Sequence, residues 1–519
     1  MRTLQFFSIL IVMLLTCTLS AQNYSIDGVK FFSAEGIKPI MNGKEVGGYI
    51  IFYRRDKASE KNDNYGLELL DEKLNKVSTI KVTMPRNLFL LQSVFNGEAL
   101  GLMFYNPEKK NYIYKSYSKT LTELGSKSTE KPNKWELATL NQMLGGDTDE
   151  AFYFFGIRPV EGKGFVRTGY GKSSDQFKLY FYDNTFKQVW AYETPKDAKG
   201  FENFFLSDIN TQYISGTTWR RKTLLSKKFE YYLTVFDAAT GKKLVDVSAE
   251  NKGQQLSITS TILQPGSNEI LLQGEYYNED DKPGVHKSKG FYIKTFDITT
   301  AKETSERLYA WDKEIAKMFD AKGKESIEDK FLNYPHVLIK TNGGKYYMVF
   351  EQFKKAADAG GIAMRALGGG TGVAKAKIGN LWVLEMDNAF KPLNIKYFEK
   401  DGSDVSLPAG VDMMGAGFVG YFTKWVGGFD YQFLQQSNDA LTFNVSYLYR
   451  DKEKGEKTQT VAGNVFLTSD GALNFDKVNL TPKSGTKINL FPAKGQALMV
   501  TEYNKKAKTV DFKLVKLNY

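Results

Sequence analysis

One cysteine and two histidines are all that 519 residues offer of the softer metal ligands and the common partners of nucleophilic catalysis. The cysteine, Cys17, sits in an N-terminal segment that reads as a removable leader, so the chain expected after processing holds none. That excludes disulfides, thiolate nucleophiles and Cys-ligated metals together. Stability must come from burial, and about 500 residues are ample for it. The histidines are isolated. His286 closes the polar turn Asp280-Asp281-Lys282-Pro283-Gly284-Val285-His286, and His336 follows Pro335 at the start of a strand. Two such imidazoles make no conventional zinc site without carboxylates, and neither neighbourhood carries the elbow that a Ser–His–Asp triad needs. No catalytic role is expected of either, and no metal or cofactor is expected.

Long apolar runs are also missing. No segment approaches 18 uncharged apolar residues, so no transmembrane span is expected. The N-terminus instead has the make-up of a secretory signal: Arg2 supplies positive charge, residues 6–15 are apolar except Ser8, and Leu19-Ser20-Ala21 offers a small-residue cleavage site. As a helix, that apolar core would reach only about 15 Å, half the hydrocarbon thickness of a bilayer. The expected organisation is a signal peptide over residues 1–21 and one domain over 22–519, exported to the periplasm or beyond. Leu14-Leu15-Thr16-Cys17 loosely matches a lipobox, and the alternative is an outer-membrane lipoprotein anchored at Cys17.

Basic residues exceed acidic ones, 70 to 59, for a net charge of +11. No block of five like charges occurs, and an exported chain has no nucleic acid as its natural partner. The excess suits lysines that solvate strand faces, or contact with anionic glycans.

Aromatic residues make up 14% of the chain, with 30 Tyr and 37 Phe, and this favours strands over helices. One module recurs: a strand that often ends in Asp, a short turn, a Lys, and a further strand. It runs from Leu67 to Asp71 before Lys76, Phe177 to Asp183 before Lys187, and Tyr231 to Asp237 before Lys242. It returns from Phe291 to Asp297 before Lys302 and from Leu381 to Asp387 before Lys391, with weaker copies at 112–118, 464–470 and 510–517. The Asp is expected to accept turn N–H groups as an Asx-turn, with Gly241 supplying backbone freedom. A second strand precedes each copy, at 48–54, 98–105, 164–170, 211–219, 269–277, 345–353, 440–449 and 496–503. The ends of the modules lie 47 to 90 residues apart, enough for propeller blades of about 40–50 residues with insertions. The fold expected is an all-β β-propeller of seven or eight blades, with residues 29–33 completing the last blade and closing the ring.

Three segments interrupt the repeat. Residues 135–144 have helical spacing, and residues 311–331 allow two short helices separated near Gly323. Residues 356–379 are rich in Gly and Ala and read as a mobile loop. Gly368-Gly369-Gly370-Thr371-Gly372 is not a P-loop, because Ala376 follows Lys375 where Ser or Thr is required. Residues 411–433 interleave Gly415, Gly417, Gly420, Gly427 and Gly428 with Met413, Met414, Phe418, Tyr421, Phe422, Trp425 and Phe429. Burial as irregular strands is expected there; exposure would instead make an interaction patch for a partner or membrane surface.

Acidic clusters at Asp147-Asp149-Glu150, Glu279-Asp280-Asp281 and Asp401-Asp404 lack the ligand spacing of an EF-hand and read as solvated turns. No Ser-x-Asp-x-Gly-x-x-Trp box is present. The Ser20-Ala21-Gln22 leader end, the Tyr/Phe/Lys-rich strands and the repeated Phe-Asp turns followed by Lys resemble exported propeller-like families of unknown function from Bacteroidota-type Gram-negative bacteria. The resemblance covers the whole chain and carries over no functional residue. With residues 514–519 reading as a repeat strand, it implies a periplasmic setting. The function expected is non-catalytic binding or scaffolding of a protein or glycan in the cell envelope. The alternative is a carbohydrate-active hydrolase with paired Asp/Glu residues near the propeller channel.

Overall fold

The computed structural model describes residues 23–517 apart from 130, 135, 138–139, 141–155, 172–175, 196–199, 222–229, 284, 321–322, 325–330, 367–370, 409, 452–458, 482–484 and 496. The leader, Cys17, Trp135 and the acidic cluster at 147–150 lie outside the described residues.

Alternation of apolar side chains gives each strand two faces, and here both are buried against neighbouring sheets. In the strand Glu269–Asn278, Ile270 and Leu272 join a core with residues of the preceding sheet, while Leu271 joins one with the following sheet. Such a sheet must be sandwiched on both sides, and repetition closes into a ring. Eight antiparallel sheets form among the described residues, each with the order inner, second, third and outer strand. Blade 1 runs from Ile37–Asn42 to Lys76–Pro85, blade 2 from Phe89–Phe95 to Glu123–Ser128, blade 3 from Ile157–Val160 to Gln188–Glu193 and blade 4 from Phe201–Ile209 to Lys243–Ser248. Blade 5 runs from Gln254–Leu263 to Lys302–Ala310, blade 6 from Leu332–Lys340 to Pro392–Phe398, and blade 7 from Tyr431–Gln436 to Leu473–Leu480. Blade 8 begins at Thr486–Pro492 and takes its outer strand from the N-terminus. A separate apolar cluster fills each junction between blades. This is the expected propeller, with eight blades.

The ring closes one segment earlier than expected. Asn23–Asp27, not residues 29–33, pairs antiparallel with Thr509–Lys516, with Ile26 opposite Val510. Residues 29–33 turn back toward blade 1: the Val29 N–H still reaches the Lys508 carbonyl at 2.8 Å, while Phe31 bridges Arg54. Ile26, Val29 and Phe32 are all buried at the junction, so apolar content alone did not distinguish the strand from the connector. Glu68 fastens the closure, accepting from Tyr53 Oη at 2.6 Å and also from Tyr24 Oη.

The recurring turn works as its residues imply. Asp183 Oδ1 accepts the N–H groups of Thr185 and Lys187 at 2.8 and 3.0 Å, and Asp71 and Asp387 repeat the pattern. The residue before the Lys takes a left-handed conformation in Phe186 (φ 62°), Phe390 (φ 60°), Gly241 (φ 71°) and Ala301 (φ 55°), and Leu74 (φ 63°), two before Lys76, does the same in blade 1. A non-glycine residue there costs about 1–2 kcal/mol. Burial of the side chain in a junction offsets it, since Leu74 and Phe186 are 3% and 1% exposed.

Blade 6 departs from the pattern. Its second and third strands, Tyr346–Ala357 and Thr371–Met386, extend past the blade as a hairpin tipped by helix α1, Ala359–Ala366. Asp404–Pro408 adds a fifth strand beside the extension. The expected mobile loop is therefore ordered on both sides of residues 367–370, which lie outside the described residues. Ala374 and Ala376 are small because Phe353, Leu407, Val419 and Phe429 crowd the same miniature core.

Candidate functional site

Residues 411–433 form neither irregular strands nor an extended loop. A helical turn at Val411–Met413 leads into helix α2, Ala416–Trp425, and the chain then enters the inner strand of blade 7. Glycine permits the fit. At Gly420 a Cβ would stand 2.5 Å from the Phe353 ring, so the helix backbone lies directly on blade 6. From there α2 reaches over the inner strands of blades 4 and 5. Tyr421 Oη donates to the Ile258 carbonyl at 2.9 Å, and its ring meets Trp219 and Tyr334 edge-on at 6.1 and 6.2 Å. Val419 and Phe429 are buried as expected, whereas Met413 is 79% exposed.

Between α2 and the blades lies a cavity of about 420 Å³. Phe201, Phe204 and Phe205 come from the inner strand of blade 4, Trp219 from its second strand, Tyr334 from blade 6, and Phe418, Tyr421 and Phe422 from α2. Its volume and aromatic walls are those of a site for a small organic molecule. Among its described lining residues, Lys424 is the one charged side chain.

Behind Lys424 is a buried ionic cluster centred on His336. The side chains of His336, Glu351 and Lys400 are each 0% exposed. Lys424 Nζ lies 3.1 Å from His336 Nδ1, and His336 Nε2 lies 3.0 Å from Glu351 Oε2. An ammonium can only donate, so Nδ1 accepts and Nε2–H donates to Glu351, which fixes the tautomer. Tyr431 stacks on the imidazole at 4.6 Å and donates its N–H to Glu351 at 3.3 Å. Lys400 Nζ lies 3.0 Å from Glu351 Oε1 and also bonds Asp430. Burial, then the nearby Lys424 and Lys400 charges, hold the imidazole well below its ordinary pKa, so it is neutral. Burial pushes the Asp430 carboxyl up, although Lys400 opposes the shift. For Lys400, burial acts downward, but Glu351 and Asp430 leave it raised. Lys424, which makes no direct ion pair among the described residues, is pulled down by burial to about 8, although the more distant Glu351 charge opposes the shift.

A narrower cleft of about 10 Å³ adjoins the cavity, sharing Thr259, Tyr334 and Tyr421 with it. It contains Glu275, whose carboxyl burial raises while hydrogen bonds from Ser288 and Tyr277 oppose the rise. It also contains His286, a half-exposed turn residue whose Nδ1 accepts the Lys282 N–H and faces Asp281 at 3.0 Å.

Sequence reading named His336 but not its surroundings: the groups around it lie 15 to 95 positions away in the chain, and only the folding of blade 6 against the chain that leads to blade 7 assembles them. The other polar clusters are local. Asp404 pairs with Lys375 at 2.6 Å, and Asp281 accepts the Asn278 N–H at 3.0 Å. The segment at residues 134–140 is helical at Lys134, Glu136, Leu137 and Leu140, where Glu136 pairs with buried Arg167 at 3.0 Å between blades 2 and 3. Trp311–Ile315 forms a π-turn packed between blades 5 and 6. Among the described residues no three His, Cys, Asp or Glu side chains gather to hold a metal, and no helix is long and apolar enough to cross a membrane.

The chain is similar in structure to prolyl oligopeptidase B from Galerina marginata (10% identity, TM-score 0.38), covering 94% of this chain and 56% of that one. It therefore spans little more than half of that enzyme's length. It is also similar to a PL25 ulvan lyase (10% identity, TM-score 0.41, covering 82% and 91% of the two chains). A third likeness is to the WD40 domain of SCAP from fission yeast (8% identity, TM-score 0.36, covering 92% and 97%). No curated protein matches the sequence. The chain belongs to the DUF6770 family, a family of unknown function whose model matches residues 1–518.

Proposed function

We propose that this protein is an exported, non-catalytic binding protein of the cell envelope, and that its ligand enters the aromatic cavity beneath α2. The observation that carries the reading is the character of that cavity: about 420 Å³, walled by eight aromatic side chains. Stacking on such walls suits an apolar or aromatic body. A glycoside hydrolase would need two carboxyl groups about 5–10 Å apart, whereas the described lining contributes none. The Arg2 and residue 6–15 pattern supports export, and mass spectrometry of the mature N-terminus tests it, with Gln22 expected first.

The cavity itself is tested with N-phenyl-1-naphthylamine, an uncharged dye that fluoresces in apolar surroundings. Saturable binding of one dye per chain is expected, weakened by Phe205→Ala and by Phe418→Ala, whose rings form opposite walls. Binding that neither substitution alters would place the dye elsewhere and remove this reading.

A further inference from the structure

Among the described residues, Lys294 and Lys400 are buried lysines with carboxylates beside them, and Lys424 stands apart from them. Lys294, 2% exposed, lies 2.9 Å from Glu303 and 3.1 Å from Glu306. Lys400, 0% exposed, has Glu351 and Asp430. Lys424 lies deep in the α2–blade junction, yet its contacts among the described residues are a neutral imidazole nitrogen at 3.1 Å and the Tyr431 ring at 4.3 Å. An ammonium carries three donors and the imidazole takes one. The nearest carboxylate charge acting on it is Glu351, which lies beyond His336 and whose oxygens already face His336, Lys400 and the Tyr431 N–H. A partly buried charge without a counter-ion is costly. Here that charge also stands on the wall of an otherwise uncharged aromatic cavity.

We propose that the cavity selects a small organic monoanion, an aromatic or aliphatic carboxylate whose apolar body fills the aromatic space while its carboxylate pairs with Lys424. The inference rests on the cavity being a ligand site and adds the chemistry of the ligand. The groups facing Lys424 divide the labour. His336, held neutral and oriented by Glu351, positions the amine without neutralising it, and Tyr431 covers one side of it. The His336–Glu351–Lys400–Asp430 chain anchors that arrangement to blades 6 and 7. Because the free amine titrates near pH 8, a bound carboxylate would raise that value, and binding above pH 8 would take up a proton.

The test compares 2-naphthoate with 2-naphthamide, equal in shape and different in charge, each displacing N-phenyl-1-naphthylamine from the full-length mature protein. At pH 7 naphthoate should bind about tenfold more tightly, the equivalent of one modest charge-assisted contact. The preference should fade between pH 7 and 10 as the amine deprotonates. It should disappear in Lys424→Met and survive in Lys424→Arg, with circular dichroism melts reporting whether each variant is folded. Equal affinity of the two probes for the unmodified protein at pH 7, or a preference that ignores pH, would overturn the proposal while leaving the cavity a ligand site. If the dye binds in the cavity but neither compound displaces it, the carboxylate assignment falls alone. If the dye itself does not bind there, the parent reading falls with it.

Discussion

Replacing Lys424 by Met should change how the stability of the protein depends on pH, and the size of the change follows from the surroundings of the amine. In the folded chain the ammonium loses its proton near pH 8, against 10.5 in an ordinary setting. Between those values the unfolded chain holds a proton that the folded chain has lost. Stability therefore rises with pH across that window, and this lysine's contribution is most unfavourable below pH 8. At 1.36 kcal/mol per pH unit the full span amounts to about 3 kcal/mol, of which about 2 kcal/mol falls between pH 7 and 9.5. Met has no such titration; His336 loses one of the charges that depress it but is kept neutral above pH 7 by burial, and the remaining groups cancel in the difference. The absolute difference at one pH is less telling, because Met also strips the donor from His336 Nδ1, at a cost of about 1–3 kcal/mol. Urea unfolding of both proteins at pH 7, 8.5 and 9.5 isolates the gradient. The unsubstituted protein should gain on the variant by about 2 kcal/mol from pH 7 to 9.5. Parallel profiles, or a gain in the opposite sense, would mean that the Lys424 proton is as secure in the fold as in water, and the counter-ion argument would fail.

Other expected outcomes concern the ring and the helix that covers it. Phe186→Ala, which removes a side chain stacked on Phe165 at 4.9 Å, should lower the unfolding free energy by about 3–5 kcal/mol in urea titrations. Phe186→Gly should remain destabilised although it relieves about 1 kcal/mol of left-handed strain. Asp183→Ala, which leaves two turn N–H groups to solvent, should cost only about 1 kcal/mol. Removing residues 23–27 bares the Thr509–Lys516 edge, and light scattering should then show self-association at concentrations where the longer chain is monodisperse. Gly420→Val, whose side chain meets the Phe353 ring, should lift α2 and weaken dye binding more than it lowers the melting temperature of the propeller.

The repeat was legible because it is written in local chemistry. The second and third strands are dense in apolar and aromatic residues, and each pair recognised in the sequence overlaps a hydrogen-bonded hairpin, as at Gly164–Tyr170 and Phe177–Asp183. Asp-led turns announce themselves because the carboxylate and the N–H groups it accepts are four residues apart or fewer. Inner strands went unread for a physical reason. Facing the channel on one edge, they need no regular apolar face: Ile157–Val160 has four residues, including Arg158 and Pro159, and Tyr431–Gln436 carries three glutamines. Helix α2 was hidden by the glycines that let it pack closely, since glycine weakens any helical signal. The site itself was illegible in one dimension. His336 and Glu351 lie on two strands of blade 6, while Lys400, Lys424 and Asp430 lie in the chain that leads from it to blade 7, and nothing in the spacing of these residues marks them as partners.

The unevenness of the repeat nonetheless coincides with the proposed site. The turn aspartates at 237 and 297 are separated by 60 residues, but those at 297, 387 and 470 by 90 and 83. A blade needs about 40–50 residues, so the excess is concentrated around blade 6 and the connection to blade 7. It builds the extended hairpin with α1 at its tip, the fifth strand, and helix α2, and the hairpin, the fifth strand and α2 share the miniature core of Phe353, Leu407, Val419 and Phe429. None of this is required to close the ring, because the eight junctions are filled without it. What the added chain does is place α2 over blades 4 and 5, hold Lys424 against His336 and contribute Phe418, Tyr421 and Phe422 to the aromatic cavity. On the proposed reading, the ring supplies the rigid frame and the inserted segment brings Lys424 to the cavity wall.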